Sequence, residues 1–261
     1  MNLQGKRALV TGGSSGIGRA CAVALAHRGA RIAIAGRRAE RLSETAATIA
    51  ALNVSSGDER RALPISLDLA TEAGRARCVE TAAGFLGGID ILVNAAGILE
   101  GGTVETTSLE MWDRTMEINV RSLFHLTKLS MPYLAASKGA VVNLSSVAGP
   151  RAYPGVLAYC VSKAAVDQLT RCLSLEMAPK GVRVNAVNPG VVVTELHRAG
   201  GMSEPDYAAF LERCRATHPL GRVGTPEEVA EAVVFLVSPE SGWITGVCLS
   251  VDGGRANASA R

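Results

Sequence analysis

The chain has 261 residues, 48% of them hydrophobic, enough to bury a full core, and α/β folds reach this size as a single domain. Lys and Arg number 27 against 24 Asp and Glu, with no Lys/Arg-rich block, which excludes a general polyanion-binding field and with it nucleic acid as a partner. Six cysteines are dispersed without C-x-x-C spacing, which predicts reduced thiols in the cytoplasm and no metal site.

Short β-branched or apolar runs at 8–10, 31–35, 63–67, 89–94, 140–144, 183–187 and 248–251 alternate with longer helical stretches. Several are apolar almost throughout, as parallel strands covered on both faces are. The alternation predicts an α/β, Rossmann-type, doubly wound fold with seven parallel strands, whose ligand sits beyond the carboxyl ends of the strands. The first strand starts too early to leave room for a signal peptide, and no apolar run nears the ~20 residues that span a bilayer, so a soluble protein with no membrane partner is expected. Loose-looking stretches fall at 53–60, around Gly200-Gly201 and at 255–261, and none marks a boundary, so residues 1–261 are read as one domain.

After the first strand, Thr11-Gly12-Gly13-Ser14-Ser15-Gly16-Ile17-Gly18 opens a helix rich in alanine and leucine. Glycines let backbone approach a pyrophosphate, and the helix start supplies unpaired N–H groups and a positive dipole. The stretch reads as a dinucleotide cradle, and the Lys-Ser/Thr of a nucleoside-triphosphate loop is absent. The second strand ends Ala35-Gly36-Arg37-Arg38, without the acidic residue that selects an unphosphorylated ribose. Arg37, with Arg38 and the Ser14 and Ser15 hydroxyls, suits a 2′-phosphate; two solvated arginines at a helix start are the alternative. Asp68, closing the third strand, fits either an adenine amino group or a cap before Thr71. Tyr159 and Lys163 open an apolar helix over 158–177, four apart and therefore on one face. A fixed ammonium beside a phenol that ordinarily titrates near ~10 favours the phenolate and brings Tyr159 toward general acid/base work.

With Asn94-Ala95-Ala96-Gly97, Asn119, Ser146 thirteen positions before Tyr159, and Pro189-Gly190, these motifs resemble, over essentially the whole chain, the short-chain dehydrogenase/reductase family. One departure is Ala95, where the family usually has a second asparagine. The resemblance implies Tyr159 as general acid/base and Lys163 as the lysine that lowers its pKa and binds the nicotinamide ribose. It further implies Ser146 as hydrogen-bond donor to the substrate oxygen, and Asn119 as holder of a water behind the lysine. It implies cofactor contacts from Gly12, Ser14, Ser15, Gly16, Ile17, Gly18, Arg37, Arg38, Asp68, Asn94, Gly97, Pro189, Gly190, Val192 and Thr194, with NADP(H) as the cofactor.

Residues 195–223 resemble the family's variable substrate lid, with a helical run at 205–215 and Gly200-Gly201 as a hinge. The implied substrate contacts are Leu99, Ser146, Val147, Tyr153, Val156 and Leu196, mostly apolar, with His197 read as lid surface rather than catalyst. They favour a hydrophobic ketone or secondary alcohol over a free sugar. The helices at 109–136 and 159–177 resemble the pair that joins family subunits, which implies a homotetramer or homodimer. Much of the chain also resembles the 3-oxoacyl-carrier-protein reductases. One of their basic docking positions is retained as Lys180, whereas its companion falls at Ser137 beside Lys138, with Arg151 or Arg198 as compensating charges. That difference favours a free small or medium-sized ketone over a carrier-bound acyl chain. A non-catalytic NADP-binding protein is a further alternative, and dehydratase or epimerase chemistry on nucleotide sugars is disfavoured because relatives of that kind carry a longer substrate domain after the sixth strand.

Overall fold

The computed structural model describes residues 1–52 and 62–258, so the stretch at 53–60 and the end of the tail lie outside the described residues. Among these residues seven strands form one sheet: β1 (Arg7–Thr11), β2 (Arg31–Gly36), β3 (Ala62–Ser66), β4 (Ile91–Asn94), β5 (Ala140–Leu144), β6 (Arg183–Pro189) and β7 (Cys248–Val251). All pairings are parallel, in the order β3-β2-β1-β4-β5-β6-β7. β4 starts later than expected, at Ile91; just before it the Asp90 carboxylate accepts from the Arg7 backbone N–H and Nε at 2.8 Å each, and the Arg7 N–H is thereby spent on a side chain rather than on the ladder.

The helices are α1 (Gly16–His27), α2 (Ala39–Ala50), α3 (Glu72–Leu86), α4 (Leu109–Met116), α5 (Ser122–Ser137), α6 (Leu157–Met177), α7 (Leu196–Ala199), α8 (Glu204–Thr217) and α9 (Pro226–Val237). Side chains alternate across a strand, so neighbouring residues of β1 feed two cores. Val10 packs with Leu25 of α1, Leu42 of α2 and Val233 of α9, while Leu9 packs with Val79 of α3, Leu126 of α5 and Leu173 of α6. The helix expected over 109–136 is interrupted: Glu117–Arg121 is a π-helical turn joining α4 to α5. One extra residue per turn there re-aims the side chains of the segment, Asn119 among them.

Strand order reverses between β1 and β4, the place where an open α/β sheet leaves a crevice at its carboxyl edge. Thr11 ends β1, Asn94 ends β4, Ser145 and Ser146 follow β5, and Pro189 ends β6, so the sequence motifs meet along one edge.

Candidate active site

At the crevice, the Thr11 hydroxyl accepts from the backbone N–H groups of Ala95 and Ala96 at 3.1 and 3.2 Å, tying the turn after β1 to the turn after β4. Gly12 (φ +69°) makes this approach possible, since a Cβ there would lie 2.7 Å from the Ala95 carbonyl carbon. Ser15 is the N-cap of α1 without a side-chain cap bond, and the first turn holds no acidic residue, so the helix start keeps N–H donors and positive dipole for an anion. These features fit the pyrophosphate of a dinucleotide.

Of the two arginines after β2, the structure brings Arg38 to the serines. Its Nη2 donates to Ser15 Oγ at 2.6 Å and Ser14 Oγ at 3.3 Å, and its Nη1 donates to Glu195 Oε2 at 2.7 Å. Arg38 in turn holds the Glu195 carboxyl below its ordinary pKa. Arg37 is exposed, and among the described residues its guanidinium has no hydrogen-bond partner. Asp68 does not cap the next helix: Thr71 is the N-cap of α3, and Asp68 Oδ1 accepts from Ala70 N at 3.0 Å in the preceding turn. Asn94 is buried, its amide donating to Thr127 Oγ1 at 3.1 Å and Asn143 Oδ1 at 3.0 Å, so its side chain joins β4 to α5 and β5.

Tyr159 and Lys163 sit on the first turns of α6, both buried, with Lys163 Nζ 5.5 Å from the centroid of the Tyr159 ring. Nζ donates to the Leu144 carbonyl at 2.8 Å. Burial, opposed by the nearby Asp167 carboxylate, lowers the lysine to about 8. Burial also pushes Tyr159 up to about 12, opposed by the Ser146 hydroxyl. The lowering expected from the ammonium does not prevail against desolvation, and the Tyr159 phenol is neutral at physiological pH. Ser146 is buried beside it, its Oγ accepting from Ala148 N at 3.1 Å, and Ser145 Oγ donates to the Lys163 carbonyl at 3.2 Å.

Asn119, placed by the π-helical turn, grips both backbone polar groups of Ile98 at 2.9 Å and donates to Ser162 Oγ at 3.0 Å. Ser162 Oγ donates onward to the Tyr159 carbonyl at 2.7 Å. Gly97 leaves the space between: a Cβ there would stand 3.2 Å from Asn119 Oδ1 and 3.7 Å from Lys163 Nζ. Asn119, Lys163 and Tyr159 thus form one connected group.

That group opens into a cavity of about 950 Å³ lined by Leu99, Ser146, Val147, Tyr153, Val156 and Leu196, together with Ile17, Gly97, Pro189, Gly190, Val192 and Thr194. Its outer wall comes from the segment after β6, where α7 and α8 stand, the latter longer at both ends than the expected 205–215. His197 also lines the cavity, packed 4.7 Å from the Phe210 ring centroid, and burial lowers its pKa. Three polar residues were not picked out from the sequence as parts of this site. Buried His218 links Val191 to Cys214, and Arg213 and Arg255 line the cavity. Only for Arg255 was there a sequence signal, the basic residue directly after Asp252-Gly253-Gly254.

Fold and site together define a Rossmann-type fold with a dinucleotide cradle and a buried tyrosine–lysine pair at the carboxyl edge of its sheet. A family model described as Enoyl-(Acyl carrier protein) reductase matches residues 12–256. The chain is 40% identical to 4-formylbenzenesulfonate dehydrogenase TsaC1/TsaC2 of Comamonas testosteroni, over 98% of this chain and 99% of that protein. It is 34% identical to the 3-oxoacyl-[acyl-carrier-protein] reductase FabG of Thermotoga maritima, over 97% and 99% of the two chains. A short-chain dehydrogenase/reductase of unknown function from Caenorhabditis elegans, solved with cofactor, superposes with a TM-score of 0.92 at 35% identity, covering 99% of this chain and 97% of that one. The chain belongs to the short-chain dehydrogenase/reductase family and is an oxidoreductase of that family, whose fold implies a nicotinamide cofactor.

Proposed function

We propose that this protein is an NADP(H)-dependent carbonyl reductase or alcohol dehydrogenase acting on a ketone or secondary alcohol, with Tyr159 as general acid/base. The observation that carries the reading is the buried Tyr159–Lys163 pair, with Ser146 beside it, at the inner end of an apolar cavity that adjoins the glycine-rich turn. Ser146 holds the substrate oxygen by donating a hydrogen bond, and Tyr159, neutral near pH 7, gives that oxygen its proton. Lys163 offers its remaining N–H bonds to the ribose hydroxyls, while Asn119 and Ser162 fix the segment that presents Tyr159. The turn from Gly12 to Gly18 holds the pyrophosphate, and Arg38 with Ser14 and Ser15 holds the 2′-phosphate. The bound nicotinamide supplies or accepts the hydride.

Residues 195–223 act as the substrate lid of a single domain. The relatives' names support a carbonyl at the reacting centre, since formylbenzenesulfonate and 3-oxoacyl groups both carry one. All six cysteines are unpaired, which supports a cytoplasmic location, and no helix among the described residues is long and apolar enough to cross a membrane. Exposed apolar residues on α5 and α6 support a homodimer or homotetramer.

Reduction of a carrier-bound 3-oxoacyl chain is a second reading, favoured by the identity to the Thermotoga maritima reductase. The charges it needs are depleted: Arg151 Nη1 is committed to the carbonyls of Arg255, Ala256 and Ala258, and Arg198 to Glu204. The test is NADPH oxidation with a panel of free ketones and a 3-oxoacyl carrier protein, on the wild type and Tyr159→Phe. The reading expects turnover of free ketones that Tyr159→Phe loses by about a hundredfold or more with NADPH affinity intact. Turnover retained by Tyr159→Phe sinks the assignment, and a large preference for the carrier-bound chain installs the second reading.

A further inference from the structure

The cavity is apolar near Tyr159, but its wall also carries two guanidiniums that the reduction of a carbonyl does not use. Arg255 follows β7, and its backbone is fixed from two sides. The Asp252 carboxylate accepts from the N–H groups of Gly254 at 2.9 Å and Ala256 at 2.6 Å, and Arg151 Nη1 donates to the Arg255 carbonyl at 3.0 Å. The Arg255 guanidinium lies 5.5 Å from the centroid of the Tyr153 ring, and its one hydrogen bond among the described residues is to the Thr217 carbonyl at 3.5 Å. Arg213 reaches the same cavity from α8 and has no ion-pair partner among the described residues. Both guanidiniums are close enough to Cys214, the neighbour of Arg213 on α8 and part of the cavity wall, to act on its thiol.

Asp206, the acidic residue of the lining, accepts from Ser203 Oγ at 2.6 Å at the start of α8 and forms no ion pair with either arginine among the described residues. Two further polar atoms of lining residues, Tyr153 Oη and His197 Nδ1, are buried without a hydrogen-bond partner among the described residues. A buried hydroxyl left unpaired costs free energy, and the exposed Arg213 and half-buried Arg255 face the same cavity without a carboxylate partner among the described residues, so the wall offers donors for a ligand that supplies acceptors. Planar guanidinium forks match a carboxylate or a sulfonate.

We propose that the substrate bears, besides its reacting carbonyl or hydroxyl, an anionic group, carboxylate or sulfonate, held by Arg255 with Arg213 and the Tyr153 hydroxyl. The proposal rests on the reductase reading above and narrows it from a hydrophobic ketone to an apolar oxo or hydroxy acid. The apolar lining contacts the body of the molecule while Arg255 fixes one end, which sets the orientation in which the carbonyl meets Tyr159.

The test compares kcat/KM with NADPH for 4-acetylbenzoate and 4-acetylbenzenesulfonate against the neutral methyl 4-acetylbenzoate, on the wild type, Arg255→Gln and Arg213→Gln. A charge-assisted contact predicts that the wild type favours the anions by about tenfold to a hundredfold, that Arg255→Gln brings the ratio near one, and that Arg213→Gln lowers it by a smaller factor. Arg213 is exposed on α8, so its variant keeps the question open to measurement if Arg255→Gln folds poorly. Calorimetric titration of the NADP⁺-loaded protein with unreactive benzoate, benzenesulfonate and benzamide reads the site without turnover. Binding of at least one anion but not benzamide, lost in Arg255→Gln and weakened in Arg213→Gln, upholds the proposal even if no ketone is reduced, in which case the reductase reading alone fails. An anion-to-ester ratio unchanged in both variants, or benzamide binding as tightly as benzoate, overturns it. Preference for one of the two anions identifies which acid the site is built for.

Discussion

Lys163 and Tyr159 are held in a place that disfavours the charge of each, and Asp167, one turn further along α6, accepts from Asn188 Nδ2 at 3.0 Å in the same buried region. The folded pKa of Lys163, about 8, lies below its ordinary 10.5. Below pH 8 both states carry the proton and the folded state bears the full cost of the buried ammonium. Between about 8 and 10.5 the unfolded chain keeps a proton that the folded chain has released, so this site's contribution to stability rises with pH. Lys163→Met lacks the titration. Its melting temperature relative to wild type is therefore expected to drop as pH climbs from 8 to 10, and an offset constant across that range would show that the lysine is not desolvated. Arg38 yields the second prediction at this scale. Its ion pair with Glu195 competes with a 2′-phosphate, so Glu195→Gln is expected to tighten NADPH binding severalfold, whereas Arg38→Ala weakens it about tenfold to a hundredfold and spares NADH. Equal affinity of the wild type for NADH and NADPH would remove the basis for both. The sequence marks the end of β2 as basic and puts Arg37 foremost, whereas the structure brings Arg38 to Ser14 and Ser15, a choice that depends on where Glu195, far along the chain, comes to rest.

Elements with one strong period were legible in advance. α6 runs as expected because its apolar positions repeat at helical spacing and nothing interrupts them. The break at Glu117–Arg121 was not legible, since a single π-helical turn shifts the period by one residue within a stretch that still reads as helix. That shift is what aims Asn119 at Ile98 and Ser162. The segment after β6, proposed above as a lid, is attached through His218, a lone histidine with no sequence partner. Its Nε2 accepts from Val191 N at 3.1 Å, which leaves the proton on Nδ1 to donate to the Cys214 carbonyl at 2.7 Å. The buried ring thereby joins the end of α8 to the loop beside Pro189-Gly190. His218→Leu leaves the Val191 N–H unpaired and is expected to cost about 1–3 kcal/mol of stability and to raise KM together with a fall in kcat. Denaturant melts and steady-state kinetics check it, and wild-type values of both constants would show that the lid does not depend on this link.

At the scale of the molecule, seven parallel strands and a reversal of their order were legible from the βα alternation, whereas the order itself, which lets the glycine-rich turn after the first strand and the helix of Tyr159 after the fifth share one crevice, is supplied by the structure. What covers the outside could be read only as far as the likeness of two helices to a subunit interface. The structure places Leu157, Val161, Cys172 and Leu175 exposed along α6 at helical spacing, with Phe124 and Tyr133 exposed on α5. Trp243 is fully exposed in the segment between α9 and β7, the last strand of the sheet. Large apolar side chains in a periodic row are the mark of a helical interface, and an isologous patch on each face would make a tetramer of two-fold dimers. A stable interface needs on the order of 1,200 Å² of buried surface, which a charge at its centre is enough to disrupt. Val161→Asp and Trp243→Asp are each expected to convert a tetramer to dimers, and the double variant to monomers, by size-exclusion chromatography with light scattering. If Trp243→Asp leaves the mass of the wild type unchanged while Val161→Asp yields monomers, the protein is a dimer built on α5 and α6 alone.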